Sequence, residues 1–412
     1  MSSETVVIVG AGPVGLLCAL GLARRGVQVT VLEREPEVIA SPRAAVYHWC
    51  VLEVLDALGL REDAEAEGVI VRGNDFRRPS TGEVVSLSQD AIAGLAPFPY
   101  NLNLGQDRLG RLAVDHLGRL PNATIRWNTE LVAVEQDEHG VTALLDGPGG
   151  AQRLRSEWLI GADGAHSIVR KAISPAFDGF TWAERFVATN IRFDFEAHGF
   201  NRANMVLDAR LGCIVAMLED EPPLWRVTFS ESESLPLDTL PERIDAFMQA
   251  FLPGEGAGRR GYELVQHAPY RMHQRTAARY RQGRILLAGD AAHLTNPTGA
   301  MGLTTGVFDV ELLLDRLSAV IEGRQGTQAL DDYSERRRRA FLELASPAAS
   351  RFKQLVYDGS QADIDAAFDE YRRVASDPSS ARDFFLGMQV LREKEFRSVD
   401  AEALAAMNPG GQ

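Results

Sequence analysis

The apolar residues at the start of the chain fall into short, uninterrupted runs, and this pattern predicts buried strands joined by a helix. Residues 5–9 form a β-branched run that suits a strand covered on both faces. Residues 16–25 are rich in Leu and Ala and predict a helix that ends at Gly26, and residues 27–32 predict a second buried strand. The strand–helix–strand order indicates a βαβ unit, and therefore an α/β domain.

A different pattern runs through the middle of the chain and predicts an antiparallel sheet. Residues 73–87 predict a hairpin that turns at residues 80–82. Residues 125–134 and 140–145 alternate enough to predict strands of a small sheet. A larger antiparallel sheet is predicted from four strands at residues 186–195, 203–208, 213–218 and 225–230, followed by a helix at residues 240–251 and another strand at residues 262–270.

The last part of the chain, residues 330–407, is charged and has the pattern of helices. It contains a run of four arginines, Arg336 to Arg339. The simplest interpretation of this run is a helix face that is exposed to solvent. The sequence therefore predicts a helical C-terminal segment.

The first predicted strand runs directly into the turn Gly10-Ala11-Gly12-Pro13-Val14-Gly15. Gly10 permits a tight turn, Gly12 lets the backbone approach a pyrophosphate, and Gly15 lets the following helix pack on the strand. The N-terminus of that helix offers free N–H groups and partial positive charge to phosphates. Glu33 ends the second strand, where its carboxylate can accept from both ribose hydroxyls and would repel a 2′-phosphate. This βαβ unit predicts a site for FAD or NAD and does not choose between them.

Two later turns also follow predicted strands. Residues 158–160 lead into Gly161-Ala162-Asp163-Gly164-Ala165-His166-Ser167, and Val169-Arg170 follow. Residues 284–288 lead into Gly289-Asp290-Ala291-Ala292-His293, followed by Pro297 and by a glycine-rich stretch at residues 299–306. Asp290 can hold ribityl hydroxyls. The glycine-rich stretch predicts a loop that opens a helix at residues 307–317, whose amides could stabilise negative charge on a flavin.

The three turns together resemble those of the group A FAD-dependent aromatic hydroxylases, the para-hydroxybenzoate hydroxylase type. The resemblance rests on GxGxxG, GADGxxSxVR and GDAAH…P…G in this order, and it covers about residues 5–345. It implies a Rossmann-like FAD-binding domain with an inserted antiparallel-sheet substrate domain and a helical C-terminal tail. We assign residues 1–72, 98–178 and 276–345 to the FAD-binding domain, 73–97 and 179–275 to the substrate-binding domain, and 346–412 to the C-terminal segment.

The resemblance also implies which residues bind the cofactor. Arg43 and Gln106 match positions where the family contacts FAD, and Asp163 and Arg170 are expected near the FAD pyrophosphate and the access groove for NAD(P)H. Thr304 stands where the family usually has Asn, so a side-chain contact to the isoalloxazine is expected to change while backbone contacts persist. The full predicted set is Gly10, Gly12, Pro13, Val14, Gly15, Glu33, Arg34, Arg43, Gln106, Asp163, Arg170, Asp290, Pro297, Gly302, Leu303 and Thr304.

The activity implied by the resemblance is hydroxylation of a phenolic or heteroaromatic substrate through a flavin C4a-hydroperoxide, with NADH or NADPH as electron donor and O2 as co-substrate. Such a reaction benefits from a group that accepts the phenol proton. His48 is the catalytic candidate because it follows Arg43 on a segment that lies near the flavin in the family. An aromatic pocket could be lined by Tyr47, Trp49, Asn190, Met205, Met217 and Trp225. Two alternatives stay open: a flavin-dependent reductase or dehydrogenase without oxygen insertion, and a non-catalytic flavin-binding protein.

Composition and charge narrow the possible partners. The chain of 412 residues is long enough for two or three structural modules, and its 43 basic and 57 acidic residues give a net charge of −14. This charge disfavours nucleic acid and acidic membrane surfaces as partners. Three widely spaced cysteines form neither a disulfide framework nor a metal site. With no signal peptide or membrane span apparent, we expect a cytoplasmic, metal-free enzyme, and the resemblance is compatible with a homodimer.

Overall fold

The structure of the protein is a computed structural model that describes residues 4–40, 45–252 and 261–392. The helices in these ranges are α1 (Pro13–Arg24), α2 (Trp49–Ala57), α3 (Arg61–Glu67), α4 (Gln106–Leu117), α5 (Ile168–Ile173), α6 (Leu240–Phe251), α7 (Met301–Ile321), α8 (Ala329–Ala340), α9 (Ser346–Lys353), α10 (Gln361–Ser376) and α11 (Pro378–Leu386). Within the same ranges, no helix is both long and apolar enough to cross a membrane.

The strands of the described residues are β1 (Glu4–Val9), β2 (Val29–Leu32), β3 (Val46–Tyr47), β4 (Val69–Val71), β5 (Gly73–Arg78), β6 (Glu83–Ser88), β7 (Asn101–Asn103), β8 (Ala123–Arg126), β9 (Glu130–Asp137), β10 (Gly140–Asp146), β11 (Gln152–Gly161), β12 (Phe177–Arg192), β13 (Ala203–Val206), β14 (Cys213–Glu219), β15 (Leu224–Ser232), β16 (Glu263–Ala277), β17 (Arg281–Gln282), β18 (Ile285–Leu287) and β19 (His293–Leu294). They form two sheets of eight strands, and β3, β7 and β4 form a sheet of three.

The first large sheet contains the predicted βαβ unit. Its order is β17-β18-β11-β1-β2-β8, and β1 pairs in parallel with both β11 and β2, as β18 does with β11. The strands predicted at residues 125–134 and 140–145 are present, but they belong to this large sheet instead of a small one. Asn128, with a φ of 53°, interrupts the first of these stretches, so that β8 pairs with β2 while β9 and β10 extend β11.

The second large sheet is the predicted antiparallel one. Its order is β19-β16-β12-β15-β14-β13-β5-β6, and β5 and β6 form the predicted hairpin. Only β13 and β5 pair in parallel among its described neighbours. Strands β12 and β16 are longer than predicted and pair along most of their length, from Phe177 opposite Ala277 to Arg192 opposite Glu263. The two sheets thus take their strands from interleaved parts of the chain.

The two faces of the second sheet meet different neighbours. One face packs on α6 in a separate core that contains Val187, Trp225, Met217, Ile244 and Met248. Side chains of the opposite face, such as Phe186 and Phe76, belong instead to the core of the first sheet. Since successive side chains of a strand alternate between faces, Asn190 lies on the same side as Phe186. This second side, which we call the inner face, packs into the large core that the first sheet shares with the C-terminal helices.

The residues that we predicted for an aromatic pocket do not all lie on the inner face. Asn190 lies on it, and Met205 packs against the core of the first sheet. Met217 and Trp225 do not: they belong to the core beside α6. The prediction that these two residues line the pocket is therefore wrong, because a one-residue step along a strand moves a side chain to the other face.

A buried ion pair joins α7 to α8. Arg337 Nε donates to Asp309 Oδ1 at 2.7 Å, and His293 Nε2 approaches Asp309 Oδ2 at 2.7 Å. The amide of Gly289 also donates to Asp309 Oδ2, at 2.9 Å. Burial by itself raises the pKa of Asp309, but His293 and Arg337 outweigh burial and hold this pKa below its usual range. The pair therefore fixes the position of the residue that precedes Asp290.

The prediction that the arginine run forms a solvated helix face is wrong for Arg337, whose side chain is fully buried. Leu330, Tyr333, Arg337 and Ala340 form the buried stripe of α8. Their spacing is that of an amphipathic helix, with Arg337 at a position where an apolar residue is usual. The carboxylate of Asp309 makes this exception possible, because a buried charge needs a partner.

We expect Arg337→Ala to lower the free energy of unfolding by about 3–5 kcal/mol, because it leaves the carboxylate of Asp309 buried without its cation. Arg336→Ala is the matched control, since Arg336 is partly exposed and its ion pair with Asp332 spans 3.8 Å. The control should lose less than about 1 kcal/mol. Urea unfolding followed by tryptophan fluorescence measures both changes, and equal losses in the two variants would contradict the assignment.

Candidate active site

The three predicted turns lie together at the carboxyl ends of β1, β11 and β18. The amide of Ala162 donates to Val9 O at 2.8 Å, and the amide of Ala288 donates to Gly161 O at 3.0 Å. Gly10 has a φ of 103°, and a Cβ at this position would lie 2.4 Å from the carbonyl oxygen of Ala162. Only glycine fits there, because both the backbone angle and the contact exclude a side chain.

Val14, in the first turn of α1, joins the first and third turns. A Cβ at Gly289 would lie 2.8 Å from Val14 Cγ2, and a Cβ at Gly306 would lie 2.9 Å from the same atom. Both glycines therefore pack directly on Val14. The start of α1, the turn that carries Asp290 and the start of α7 are thus in contact.

The space in front of α1 fits the phosphates of a dinucleotide. Gly12 precedes the helix in an extended conformation, and no side chain caps the free amides of the first turn. The position that a Cβ of Gly12 would occupy has no other atom within 4 Å, so this side of the turn is open. An uncapped helix N-terminus with open space before it is what bound phosphate groups require.

Glu33 holds the first turn to the end of β2. Its Oε2 accepts from the amide of Ala11 at 2.7 Å, and its Oε1 accepts from the amide of Glu35 at 3.0 Å. A carboxylate has about four acceptor positions, so acceptors for ribose hydroxyls are left over. Arg34 is exposed and pairs with Glu35 at 3.3 Å. The roles predicted for Glu33 and Arg34 toward the cofactor stay predictions.

Asp163 and Arg170 organise the second turn. The Asp163 carboxylate accepts from the amide of Ile168 at 2.7 Å and from the hydroxyl of Ser167, and so it caps α5. Arg170 donates to Ala165 O at 2.8 Å and to Ala291 O at 3.1 Å, which ties this turn to the third one. Both side chains are thus committed to shaping the loops. Their predicted proximity to FAD and NAD(P)H stays a prediction.

Asp290 lies in the short 3₁₀ turn Gly289–Ala291, directly after β18, and its side chain is exposed. This position leaves the carboxylate within reach of a ligand in the cleft before α1 and α7. Gln106 is the first residue of α4. Arg43 lies outside the described residues, and its predicted contact with FAD stays a prediction.

The loop formed by the glycine-rich stretch is shorter than we predicted. Pro297 precedes the turn Thr298–Ala300, and α7 begins at Met301 rather than at residue 307. Gly302 and Gly306 are helical because they pack closely on Thr295 and Val14, which overrides the low helix propensity of glycine. Ala300 has a φ of 56° and no side chain caps the helix, so the amides of the first turn, at Gly302 and Leu303, are available to a ligand.

The side chain of Thr304 turns back on its own helix. Its hydroxyl donates to the carbonyl of Ala300 at 2.9 Å, and the residue is buried. A flavin placed before the helix would therefore meet backbone amides rather than this hydroxyl. This geometry supports the expectation that the backbone contacts of the segment matter more than the side chain of Thr304.

His48 lies next to this loop, immediately before α2. Its Nε2 is 2.8 Å from the carbonyl oxygen of Gly299. A carbonyl only accepts, so Nε2 carries the hydrogen and Nδ1 is the basic nitrogen. Burial lowers the pKa of His48, partly opposed by the Gly299 hydrogen bond and the Asn101 side chain. The imidazole is therefore neutral at pH 7 and able to accept a proton.

Arg226 is a candidate site residue that the sequence analysis missed. It lies on β15 with its side chain on the inner face, and its Nε donates to Asn190 Oδ1 at 2.8 Å. Burial lowers the pKa of Arg226 to about 10, against the opposing effects of Tyr270 and Asp107. A guanidinium with this pKa stays charged at pH 7. The sequence signal was a single basic residue inside the apolar run 224–227.

The elements that carry Arg226 and His48 meet in a small apolar cluster. Leu224, two residues before Arg226 on the same face of β15, packs with Leu218 against Ala45, three residues before His48. The segment that carries His48 therefore covers the inner face where Arg226 lies.

The sequence of the chain matches the family described as "FAD binding domain" over residues 3–346. It is 44% identical to 6-hydroxy-3-succinoylpyridine 3-monooxygenase HspB of Pseudomonas putida, over 84% of this chain and 87% of that protein. It is 40% identical to para-nitrophenol 4-monooxygenase of a Pseudomonas species, over 94% and 96% of the two chains. The crystal structure of p-nitrophenol 4-monooxygenase PnpA from Pseudomonas putida superposes with a TM-score of 0.91 at 39% identity, covering 96% of this chain and 99% of that one.

We expect Asp290→Ala to weaken FAD binding by about 10- to 100-fold, because the ribityl hydroxyls lose a charged acceptor. Asp146→Ala is the matched control, since Asp146 is an exposed carboxylate at the end of β10, outside the three turns. Titration of each apoprotein with FAD, followed by flavin fluorescence, gives the dissociation constants. An Asp290→Ala protein that binds FAD as tightly as the control would remove this residue from the site.

Proposed function

The chain belongs to the FAD-binding-domain family and is an FAD-dependent aromatic monooxygenase, and on this premise we propose that its substrate is a one-ring phenol or hydroxypyridine with a polar substituent para to the ring hydroxyl. NAD(P)H supplies the electrons and O2 is the co-substrate. The para-hydroxybenzoate hydroxylase-like fold and the monooxygenase activity predicted from the sequence are confirmed. A reductase without oxygen insertion and a non-catalytic flavin protein are not favoured.

The names of the two relatives support this substrate class. One relative acts on para-nitrophenol at position 4, which is the carbon that bears the nitro group. The other acts on 6-hydroxy-3-succinoylpyridine at position 3, which is the carbon that bears the succinoyl group and lies para to the hydroxyl. In both names the oxygen enters at a substituted ring carbon para to a hydroxyl. We propose the same position of attack for this chain.

The observation that carries the proposal is the buried guanidinium of Arg226 on the inner face. A substituent such as nitro or acyl presents oxygens, and these accept hydrogen bonds from a guanidinium. Negative charge gathers on such a substituent when the para hydroxyl ionises, so a fixed cation stabilises the activated form of the ring. Arg226 is already positioned by Asn190, and this limits the ordering that binding requires.

His48 is the proposed proton acceptor at the opposite end of the ring. Its Nε2 hydrogen is held by Gly299, so Nδ1 is the nitrogen that takes the proton of the ring hydroxyl. Ionisation of the hydroxyl raises the electron density at the para carbon. A base and a cation on opposite walls therefore suit a ring whose two polar groups are para to each other.

FAD, when bound, supplies the oxygen-transfer chemistry. The residues that would hold it are those of the three turns: the amides after Gly12 for the phosphates, Glu33 for the ribose, Asp290 for the ribityl chain, and the amides of Gly302 and Leu303 for the flavin edge. Gln106, Arg43, Asp163 and Arg170 complete the proposed set. The walls contributed by the two sheets exclude water from the ring, which strengthens the interactions of Arg226 and His48.

Two further parts of the proposal concern the state of the enzyme. The resemblance to the para-hydroxybenzoate hydroxylase type supports a homodimer. The three buried cysteines, all free thiols, suit a cytoplasmic protein.

We expect the FAD-loaded enzyme to oxidise NAD(P)H faster with para-nitrophenol and to release nitrite, because oxygen enters at the carbon that bears the nitro group. Arg226→Gln should raise KM for para-nitrophenol by about 10- to 100-fold, since a charged hydrogen bond is lost. The rise of KM for 4-chlorophenol in this variant should be smaller, because chlorine is a poor hydrogen-bond acceptor. Nitrite or chloride release and NAD(P)H absorbance measure the reaction.

Meta-nitrophenol is the matched substrate control, and it should release no nitrite. Nitrophenol oxidation with the nitro group retained in the product would contradict the position of attack. An equal rise of KM for para-nitrophenol and 4-chlorophenol in Arg226→Gln would remove the proposed contact with the substituent.

We expect kcat/KM for a weakly acidic phenol to fall about tenfold per pH unit once the pH drops below the pKa of His48. Since burial places this pKa below 6.5, the loss should occur on the acidic side of that value, where the imidazole becomes protonated and cannot accept the phenol proton. His48→Gln retains a donor for Gly299 but has no basic nitrogen, so it should abolish this acidic limb and lower kcat.

Para-nitrophenol is the internal control for this profile because it ionises more readily than other phenols. It should lose less activity than 4-chlorophenol in His48→Gln. An unchanged pH profile in the variant would show that His48 takes no proton from the substrate.

A further inference from the structure

The C-terminal part of the chain carries an irregular helical segment that the proposed function does not use. Helix α9 is flanked by two π-helical stretches, Phe341–Ala345 and Gln354–Asp358. Pro347, near the start of α9, cannot donate the amide hydrogen bond of a regular helix, and this accounts for the widened turn before it. Widened turns of this kind often mark functional sites. We call Ser346–Asp358 the wall segment.

One end of the wall segment contacts the loop before α7. The ring of Phe352 lies so close to Gly299 that a Cβ at Gly299 would be 2.9 Å from Phe352 Cδ2. Gln274 Nε2 donates to the carbonyl of Ser346 at 3.0 Å and to Thr295 Oγ1 at 2.8 Å, which ties the start of α9 to the residues before this loop. Phe352 therefore stands beside the glycine whose carbonyl positions His48.

The other end of the wall segment contacts the inner face of the second sheet. Tyr357 Oη donates to the carbonyl of Thr228 at 3.2 Å, and its ring centroid lies 4.9 Å from that of Phe186. Thr228 follows Arg226 by two residues on β15. The segment thus extends from the neighbourhood of His48 to the neighbourhood of Arg226.

Lys353 prevents the wall segment from moving away. Its ammonium donates to Glu184 Oε2 at 2.9 Å and to the carboxylate of Asp358, and it lies 4.5 Å from the ring centroid of Trp182. Only 1% of its side chain is exposed. Loss of these carboxylate partners would leave a buried ammonium without its counter-charge, so they hold Lys353 and the preceding residue, Phe352, in place.

We propose that the wall segment forms the third wall of the substrate site and that Phe352 is the residue that limits this site to one aromatic ring. The inference rests on the proposed function, which places the ring between His48 and Arg226. Phe352 is only half-buried, and its ring lies between the large core and Gly299, the residue whose carbonyl accepts from His48. Removal of the phenyl group opens room of about the size of a second fused ring next to Gly299.

The test compares two ligands on the FAD-loaded enzyme, para-nitrophenol with one ring and 4-nitro-1-naphthol with two. Calorimetric titration gives the dissociation constant of each. Phe352→Ala should weaken the binding of para-nitrophenol and strengthen the binding of the naphthol. The ratio of the two dissociation constants should therefore shift by about tenfold or more, as expected when an apolar pocket contact is lost. Phe352→Leu, which fills part of the space, should shift the ratio less and in the same direction, and it keeps the test valid if the alanine variant does not fold.

Phe384→Ala is the matched control. Phe384 is another half-buried phenylalanine of the C-terminal region, on α11, where its ring packs 5.4 Å from that of Phe385. This variant should leave the ratio unchanged within about twofold. A ratio that stays constant in both Phe352 variants, or that shifts equally in Phe384→Ala, overturns the assignment of Phe352.

The two proposals fail in different ways. If wild-type enzyme binds para-nitrophenol but releases no nitrite, the proposed position of attack is wrong, while the ratio of dissociation constants still decides the role of Phe352. If nitrite release is normal and the Phe352 variants keep the wild-type ratio, the third-wall assignment fails by itself. Wild-type enzyme that binds neither ligand overturns both.

Discussion

The close approach of backbone to backbone at the carboxyl ends of β1, β11 and β18 is the constraint on which the rest of the structure depends. Parallel strands end at the same edge of a sheet, so three turns that are far apart in sequence meet there. They come into direct contact because Gly10, Gly289 and Gly306 have no side chains. With a larger residue at any of these positions, the uncapped helix N-termini could not both border one cleft, and the phosphates and ring of one FAD molecule could not be held together.

Buried polar groups keep this edge in place without taking part in the chemistry. Asp309 binds the amide of Gly289, and Arg337 and His293 supply the positive and hydrogen-bonding partners that its carboxylate requires. Asp163 and Arg170 hold the second turn in place through hydrogen bonds to backbone amides and carbonyls. The carboxylates and guanidinium groups of Asp309, Arg337, Asp163 and Arg170 thus shape the loops of this edge.

The proposed function assigns the substrate chemistry to side chains of elements outside the three turns. The segment before α2 brings His48 to the turn Thr298–Ala300. The inner face of the second sheet carries Arg226. The wall segment connects these two regions through Phe352 and Tyr357. In the proposal, the residues that would hold the cofactor lie in the three turns and near them, while those that would contact the substrate are side chains of separate elements, so the two sets can vary independently.

The sequence by itself determined the βαβ unit, the three turns, the antiparallel character of the second sheet and the family, because each depends on local patterns and on residue types that tolerate little change, such as glycine at a positive φ. Only the tertiary structure decided which strand face each side chain joins, and so placed Met217 and Trp225 in the core beside α6 and Arg226 on the inner face. It also buried Arg337 and started α7 at Met301, since a distant carboxylate and close packing on Val14 outweigh the local preferences of arginine and glycine. The roles of Phe352 and Lys353 depend on contacts with residues far away in the chain, and no local pattern carries that information.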